Sequence, residues 1–218
     1  VKKIWPIVCL LTFCNPALFA QIKSHPRILH APRNSDVHVP PQDLPSGLKP
    51  IFTNLNKSLT DTYNQFDGWT ISGPNSSAGT SFIALPFVPK SNSHAVQVRV
   101  PVHYVGSGAN QVNLSLYADV NGTPGTLLTG PVTVTSLALW GTCCTLTVAS
   151  FPPVALTAGT QYWIVADTPL TGTGSDFYGT WDFVAPNLFL MAGDRGAGWS
   201  PFDGLNNNSA GEVLGTIP

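Results

Sequence analysis

Residues 95–105 read Ala95-Val96-Gln97-Val98-Arg99-Val100-Pro101-Val102-His103-Tyr104-Val105. Val96, Val98, Val100, Val102 and Tyr104 alternate with Gln97, Arg99, Pro101 and His103. A period of two sends successive side chains to opposite faces of a strand, so one face is packed and the other wet. This is how an antiparallel strand in a sandwich reads. Pro101 has no amide hydrogen to give to a ladder, which predicts a sheet edge or a bulge at that point.

Outward from this run, the same period predicts strands near 50–55, 67–72, 80–88, 110–118, 126–135, 143–149, 160–167, 177–184, 187–192 and 210–214. Turn residues separate several of them: Asn121-Gly122-Thr123-Pro124-Gly125, Gly106-Ser107-Gly108 and Ala158-Gly159. No stretch carries a 3.6-residue period with caps. The 20 glycines and 20 prolines fit short strands joined by tight turns. Roughly ten such strands predict an all-β domain over 48–218, a two-sheet antiparallel β-sandwich of jelly-roll-like form rather than a closed barrel.

The amino-terminal segment has a different character. Lys2 and Lys3 precede an apolar run from Ile4 to Phe13, and Ala17-Leu18-Phe19-Ala20 ends on a small residue before Gln21. Residues 1–20 therefore read as a secretory signal cleaved near Ala20. The run is too short for a stable membrane span, and no second apolar stretch of about 18 residues follows. The expectation is a bacterial chain secreted to the periplasm or the outside, without a membrane span. Removal of the signal leaves 198 residues, with 8 Lys and Arg against 11 Asp and Glu. This mild acidity lacks the basic footprint that a nucleic-acid partner needs. Residues 21–47 mix proline, histidine and single charges without a hydrophobic period, which predicts a flexible, extended leader. Its His25, His30 and His38 have the spacing of no helical or hairpin metal-ligand pair.

With the β pattern in place, several landmarks resemble a known family. GLKPIFTNL (47–55), GWTISGPNS (68–76), IALPFVP (83–89), VNLSLYADVNGTPGTLL (112–128), GTCCTL (141–146), LTAGTQYWIVA (156–166) and the region of Trp181 and Gly198-Trp199 occur in order. Together they resemble the secreted bacterial choice-of-anchor domains, type R. The resemblance implies export and a β-sandwich, and it carries no catalytic residues.

The residues themselves argue weakly for catalysis. A two-carboxylate glycosidase needs an acid and a base or nucleophile held apart, and Glu212 is the only glutamate. A Ser-His-Asp arrangement would have to recruit His94 or His103, and there is no GxSxG elbow. For metal, Asp119 and Asn121 in Asp119-Val120-Asn121-Gly122 supply few of the six to eight oxygens that Ca2+ takes. A turn, or a structural Ca2+ completed by distant carbonyls, are the two readings there, and no other cofactor is expected.

Trp140, Tyr178, Trp181 and Trp199 are flanked by glycine or polar residues. Such rings at loops or strand ends could meet a sugar face or a partner protein, or they could cap the sandwich core. Cys143 and Cys144 are adjacent, with Cα atoms about 3.8 Å apart, below the usual disulfide span of roughly 4.4 to 6.8 Å. A bridge between them needs a distorted turn, for which Gly141-Thr142 leaves room; free thiols, intermolecular pairing and burial are the alternatives. The leading expectation is a secreted, non-enzymatic binding or cell-surface module with a glycan or protein ligand. A polysaccharide-active hydrolase and a structural envelope component are the rival classes.

Overall fold

Pro101 cuts the alternating run into two strands that belong to different sheets. Its carbonyl accepts the amide of Asp182 at 3.0 Å, while its own nitrogen has nothing to donate. The computed structural model describes residues 26–32, 38–56, 61–141, 145–185 and 188–218, and these contain strands and no helix. The strands are β1 (Ile28–His30), β2 (Lys49–Thr53), β3 (Asn64–Ser72), β4 (Phe82–Phe87), β5 (Ser93–Val100), β6 (Val102–Ser107), β7 (Gln111–Val120) and β8 (Thr123–Thr135). They continue with β9 (Thr147–Leu156), β10 (Tyr162–Asp167), β11 (Tyr178–Val184), β12 (Met191–Asp194), β13 (Trp199–Phe202), β14 (Asn208–Ser209) and β15 (Glu212–Thr216).

All named pairings are antiparallel. One sheet has the order β13-β12-β4-β10-β7-β8, a second β2-β15-β5-β9, and a third β1-β3-β11-β14 with β6 also on β11. The second and third are consecutive along the chain at two places, where β5 runs through Pro101 into β6 and β14 runs through Ala210-Gly211 into β15. They form one layer in two pieces, and the six-stranded sheet forms the other. The main core draws on all three: Trp69, Trp181 and Phe183 from the third, Val98, Phe151 and Val213 from the second, Leu85, Leu114 and Ile164 from the six-stranded sheet. This is the antiparallel sandwich that the period of two predicts.

The stretch 21–47, expected as a mobile leader, is corrected where it is described. Ile28–His30 pairs with β3 in the register Ile28↔Trp69 and His30↔Asp67. Val39 is fully buried in a satellite cluster with Tyr63, Leu146, Val184 and Ala210. Its amide donates to Asp61 Oδ1 at 2.7 Å. These anchors are single apolar residues among polar ones, so they leave no periodic signal. Among the described residues, no helix is long and apolar enough to cross a membrane.

Candidate functional site

Trp69, Trp181 and Val102 point into the core, so their strand neighbours must point the other way. The register His103↔Thr180↔Thr70 sets one row of such residues across β6, β11 and β3. Directly opposed residues share a face. Asp182, two residues beyond Thr180, joins them. This face of the sheet is expected to be wet, yet His103 and Asp182 are 2% and 0% exposed. The wet-face reading of His103 is corrected, because alternation decides which way a side chain points and says nothing of what covers it.

His103 Nδ1 lies 3.1 Å from Asp182 Oδ2. The indole of Trp140 also acts on that carboxyl, although neither group meets it along a well-aligned hydrogen bond. Burial pushes Asp182 up to about 6, His103 and Trp140 pull it down, and Asp67 adds a smaller upward push. The Tyr63 ring stacks obliquely 6.1 Å from the His103 ring. Burial, and then the charge of Asp182, raise the Tyr63 phenol. Beside this group His30 Nδ1 meets Asp67 Oδ1 at 2.5 Å, and Asn64 Nδ2 donates to Asp67 Oδ2 at 2.7 Å. The His103 and Asp182 pair has the polarity of a base with its orienting acid. Both side chains are buried, away from the surface.

Next to it lies a cleft of about 480 Å³, lined among others by Asp61, Tyr63, Gln65, Phe66, Val184 and Asn207. The start of β3 positions it. Between Asp182↔Gly68 and Phe183↔Asn64 the register jumps, so β3 bulges and residues 65–67 drop out of its ladder with β11. Asn64 holds the bulge, accepting the Phe66 amide at 3.0 Å while it donates to Asp67. The cleft thus combines ring surface with carboxamide and carboxylate groups.

The four aromatic candidates are not brought together. Trp181 is corrected outright: it is 0% exposed in the main core, and its Nε1 donates to the Ala210 carbonyl at 2.7 Å. Its polar neighbours Thr180 and Asp182 belong to the opposite face. Trp140 is half-buried beside Asp182. Tyr178 is half-buried at the start of β11. Trp199 rests on the far face of the six-stranded sheet, against a small cluster of Ala84, Trp163, Val165 and Ala192.

Asp119 and Asn121 serve a hairpin. Asn121 and Gly122 both have positive φ, 54° and 80°, in the two-residue turn from β7 to β8. Asp119 accepts from Gly122 N at 3.2 Å, Gln161 Nε2 at 2.7 Å and Trp163 Nε1 at 2.8 Å, so a cation there would compete with three donors. Among the described residues no three His, Cys, Asp or Glu side chains gather as a metal set. Cys143 and Cys144 lie outside the described residues, as do His25 and the signal segment. The cleft residues were missed by the sequence reading because their only local sign is polar punctuation before β3. No family model, no curated protein and no solved structure matches the chain.

Proposed function

We propose that the chain is an exported, non-enzymatic binding module that holds a neutral polar ligand, of the glycan class, in the cleft at the start of β3. The observation that carries this reading is the lining of that cleft. Half-buried Phe66 offers ring surface, and half-buried Asn207 and Asp61 offer an amide and a carboxylate, within a volume of about 480 Å³, with Tyr63 and Gln65 buried behind them. Ligand sites are commonly clefts of roughly 300 to 1,000 Å³ that combine apolar walls with a few polar groups. Sugars present both kinds of surface, hydroxyls for the amides and C–H faces for the rings. The state of the acids supports binding over hydrolysis. Glu212 is buried against Arg99, and Asp182 is enclosed with His103. The signal-like residues 1–20 and the resemblance to choice-of-anchor domains support export.

The test is a glycan array with the purified chain, followed by titration of the best glycan into Phe66→Ala and Asn207→Ala. Binding should weaken at least tenfold in both, with melting temperatures close to wild type. A glycan-blind protein, or binding that both variants leave intact, overturns the reading. Protein recovered outside the cytoplasm should begin near Gln21 on amino-terminal sequencing.

A further inference from the structure

The walls of the cleft at the start of β3 run on into two turns that carry exposed leucines. Val184, Ala185 and Asn207 line the cleft, and Val184 pairs with Asn208 in the ladder of β11 and β14. Met191↔Phe202 is the pair of β12 and β13 nearest these turns, so residues 188–190 and 203–207 leave the six-stranded sheet side by side. On them Leu188, Leu190 and Leu205 are 58%, 61% and 54% exposed.

Both turns are held in place. Fully buried Asn208 accepts the Leu188 amide at 2.5 Å and the Phe189 amide at 3.3 Å, and it donates to the Phe189 carbonyl at 2.9 Å. The Phe189 ring lies 6.4 Å from that of Phe52, which packs on the main core, and the leucines on either side of it are left outside. In the other turn Asp203 Oδ1 accepts the Leu205 amide at 3.0 Å, and the Gly204 carbonyl accepts the Asn207 amide at 2.8 Å.

Two features point to a ligand that continues out of the cleft. Leu205 has a φ of 50° and Asn206 of 70°. That left-handed conformation suits glycine or asparagine and strains a leucine, and strain of this kind gathers at ligand sites. The second feature is charge. Residues 183–193 and 204–211 contain no Asp, Glu, Lys or Arg. Single exposed leucines are ordinary, whereas several on adjoining uncharged turns form a patch of the kind that binds something.

We propose that one neutral amphiphile covers both surfaces, a sugar carrying a hydrocarbon chain, with its head in the cleft and its chain on Leu188, Leu190 and Leu205. This rests on the glycan reading of the cleft and specifies its ligand class. The shared walls at Val184–Ala185 and Asn207 favour a single molecule. The lack of Lys and Arg in both stretches disfavours an anionic lipid surface, which attracts basic residues. Each methylene taken out of water against the leucines adds to affinity.

Calorimetric titration with the methyl and n-octyl β-D-glycosides of glucose, galactose and mannose, each octyl compound below its critical micelle concentration, tests it. For at least one sugar the octyl glycoside should bind at least tenfold more tightly than the methyl glycoside. Leu190→Ser and Leu205→Asn, the latter keeping a residue suited to the left-handed turn, should cut that advantage to threefold or less. Neither should lower the melting temperature or weaken the methyl glycoside, a combination that a purely structural leucine would not give. Phe66→Ala should weaken both compounds. Octyl binding no tighter than methyl binding overturns the proposal and leaves the cleft reading standing. An octyl advantage that both leucine variants retain overturns it too, as does octyl binding that Phe66→Ala and Asn207→Ala leave intact, because the chain would then bind without the head. If none of these compounds binds, the proposal falls, and the glycan array decides the cleft reading separately.

Discussion

Arg99 Nε lies 2.8 Å from Glu212 Oε1, with the two side chains 6% and 1% exposed. The pair spans β5 and β15 in the register Glu212↔Arg99, and Arg99 Nη1 also donates to the Asp43 carbonyl at 2.8 Å. One buried ion pair thus fastens the carboxyl-terminal strand and the segment ahead of β2 to the same point. Removing one partner of such a pair leaves a charge without compensation and costs about 3–5 kcal/mol. Urea unfolding should show losses of that size for Arg99→Met and for Glu212→Leu. The double variant should lose clearly less than the two single losses together, because it strands no charge.

Asp167 and Asp182 give the stability a definite pH slope. Burial raises each to about 6 from 3.8, against an opposing hydrogen bond from Asn113 for Asp167 and the opposing contacts of His103 and Trp140 for Asp182. A carboxyl with a raised folded pKa holds its proton more tightly when folded than unfolded. Between about pH 4 and 6 the folded chain therefore carries more protons, and stability falls as pH rises through that window. The shift corresponds to a contribution on the order of 3 kcal/mol per group. Thermal melts from pH 4 to 7 should fall more steeply for wild type than for Asp167→Asn or Asp182→Asn. Parallel profiles would show that these carboxyls ionise normally.

Trp181 and Trp199 should respond very unequally to removal. Trp181→Ala opens a large cavity in the main core and takes the donor from the Ala210 carbonyl, a loss of about 3–5 kcal/mol. Trp199 is half-buried, and Trp199→Ala should cost about 1 kcal/mol. Acrylamide quenching of single-tryptophan variants should reach Trp199 and spare Trp181. Equal quenching would contradict the packing.

Gly68 is required by the close approach of β3 and β11. A Cβ there would stand 2.1 Å from Thr180 Oγ1 and 2.7 Å from the Trp181 carbonyl oxygen. Thr180 can turn, but the backbone oxygen cannot. Gly68→Ala should cost about 1–3 kcal/mol in denaturant unfolding, and an unaltered midpoint would mean that the two strands separate more easily than their packing implies.

The strand pattern was legible wherever alternation ran for several residues, as at 95–105, 110–118 and 160–167. β1 was not, because three residues cannot display a period. Pro101 was read as an edge or bulge and is instead the passage from one sheet to another, which needs knowledge of the partner strands. His103 and Asp182 meet only through the pairing of β6 with β11, which no local spacing announces. Trp181 carries the plainest lesson. Polar flanks suggested a loop, yet in a strand a core ring should have polar residues on both sides, since they face away. The cleft depends on a bulge, and a bulge breaks the very period by which strands are recognised.

The short strand Ile28–His30 has a consequence for solution behaviour. With Thr70 N bonded to Arg27 O and Ala31 N to Phe66 O, residues 27–31 occupy the free side of β3 along the whole stretch from Phe66 to Thr70. A protein trimmed past Ala31 would present that row of amides and carbonyls to its neighbours. Open rows of this kind recruit further chains and template aggregates, whereas a very short outermost strand offers little to copy. Residues 27–31 therefore cover that side of β3, and a chain trimmed past Ala31 should self-associate more readily than one that keeps them, as sedimentation would read.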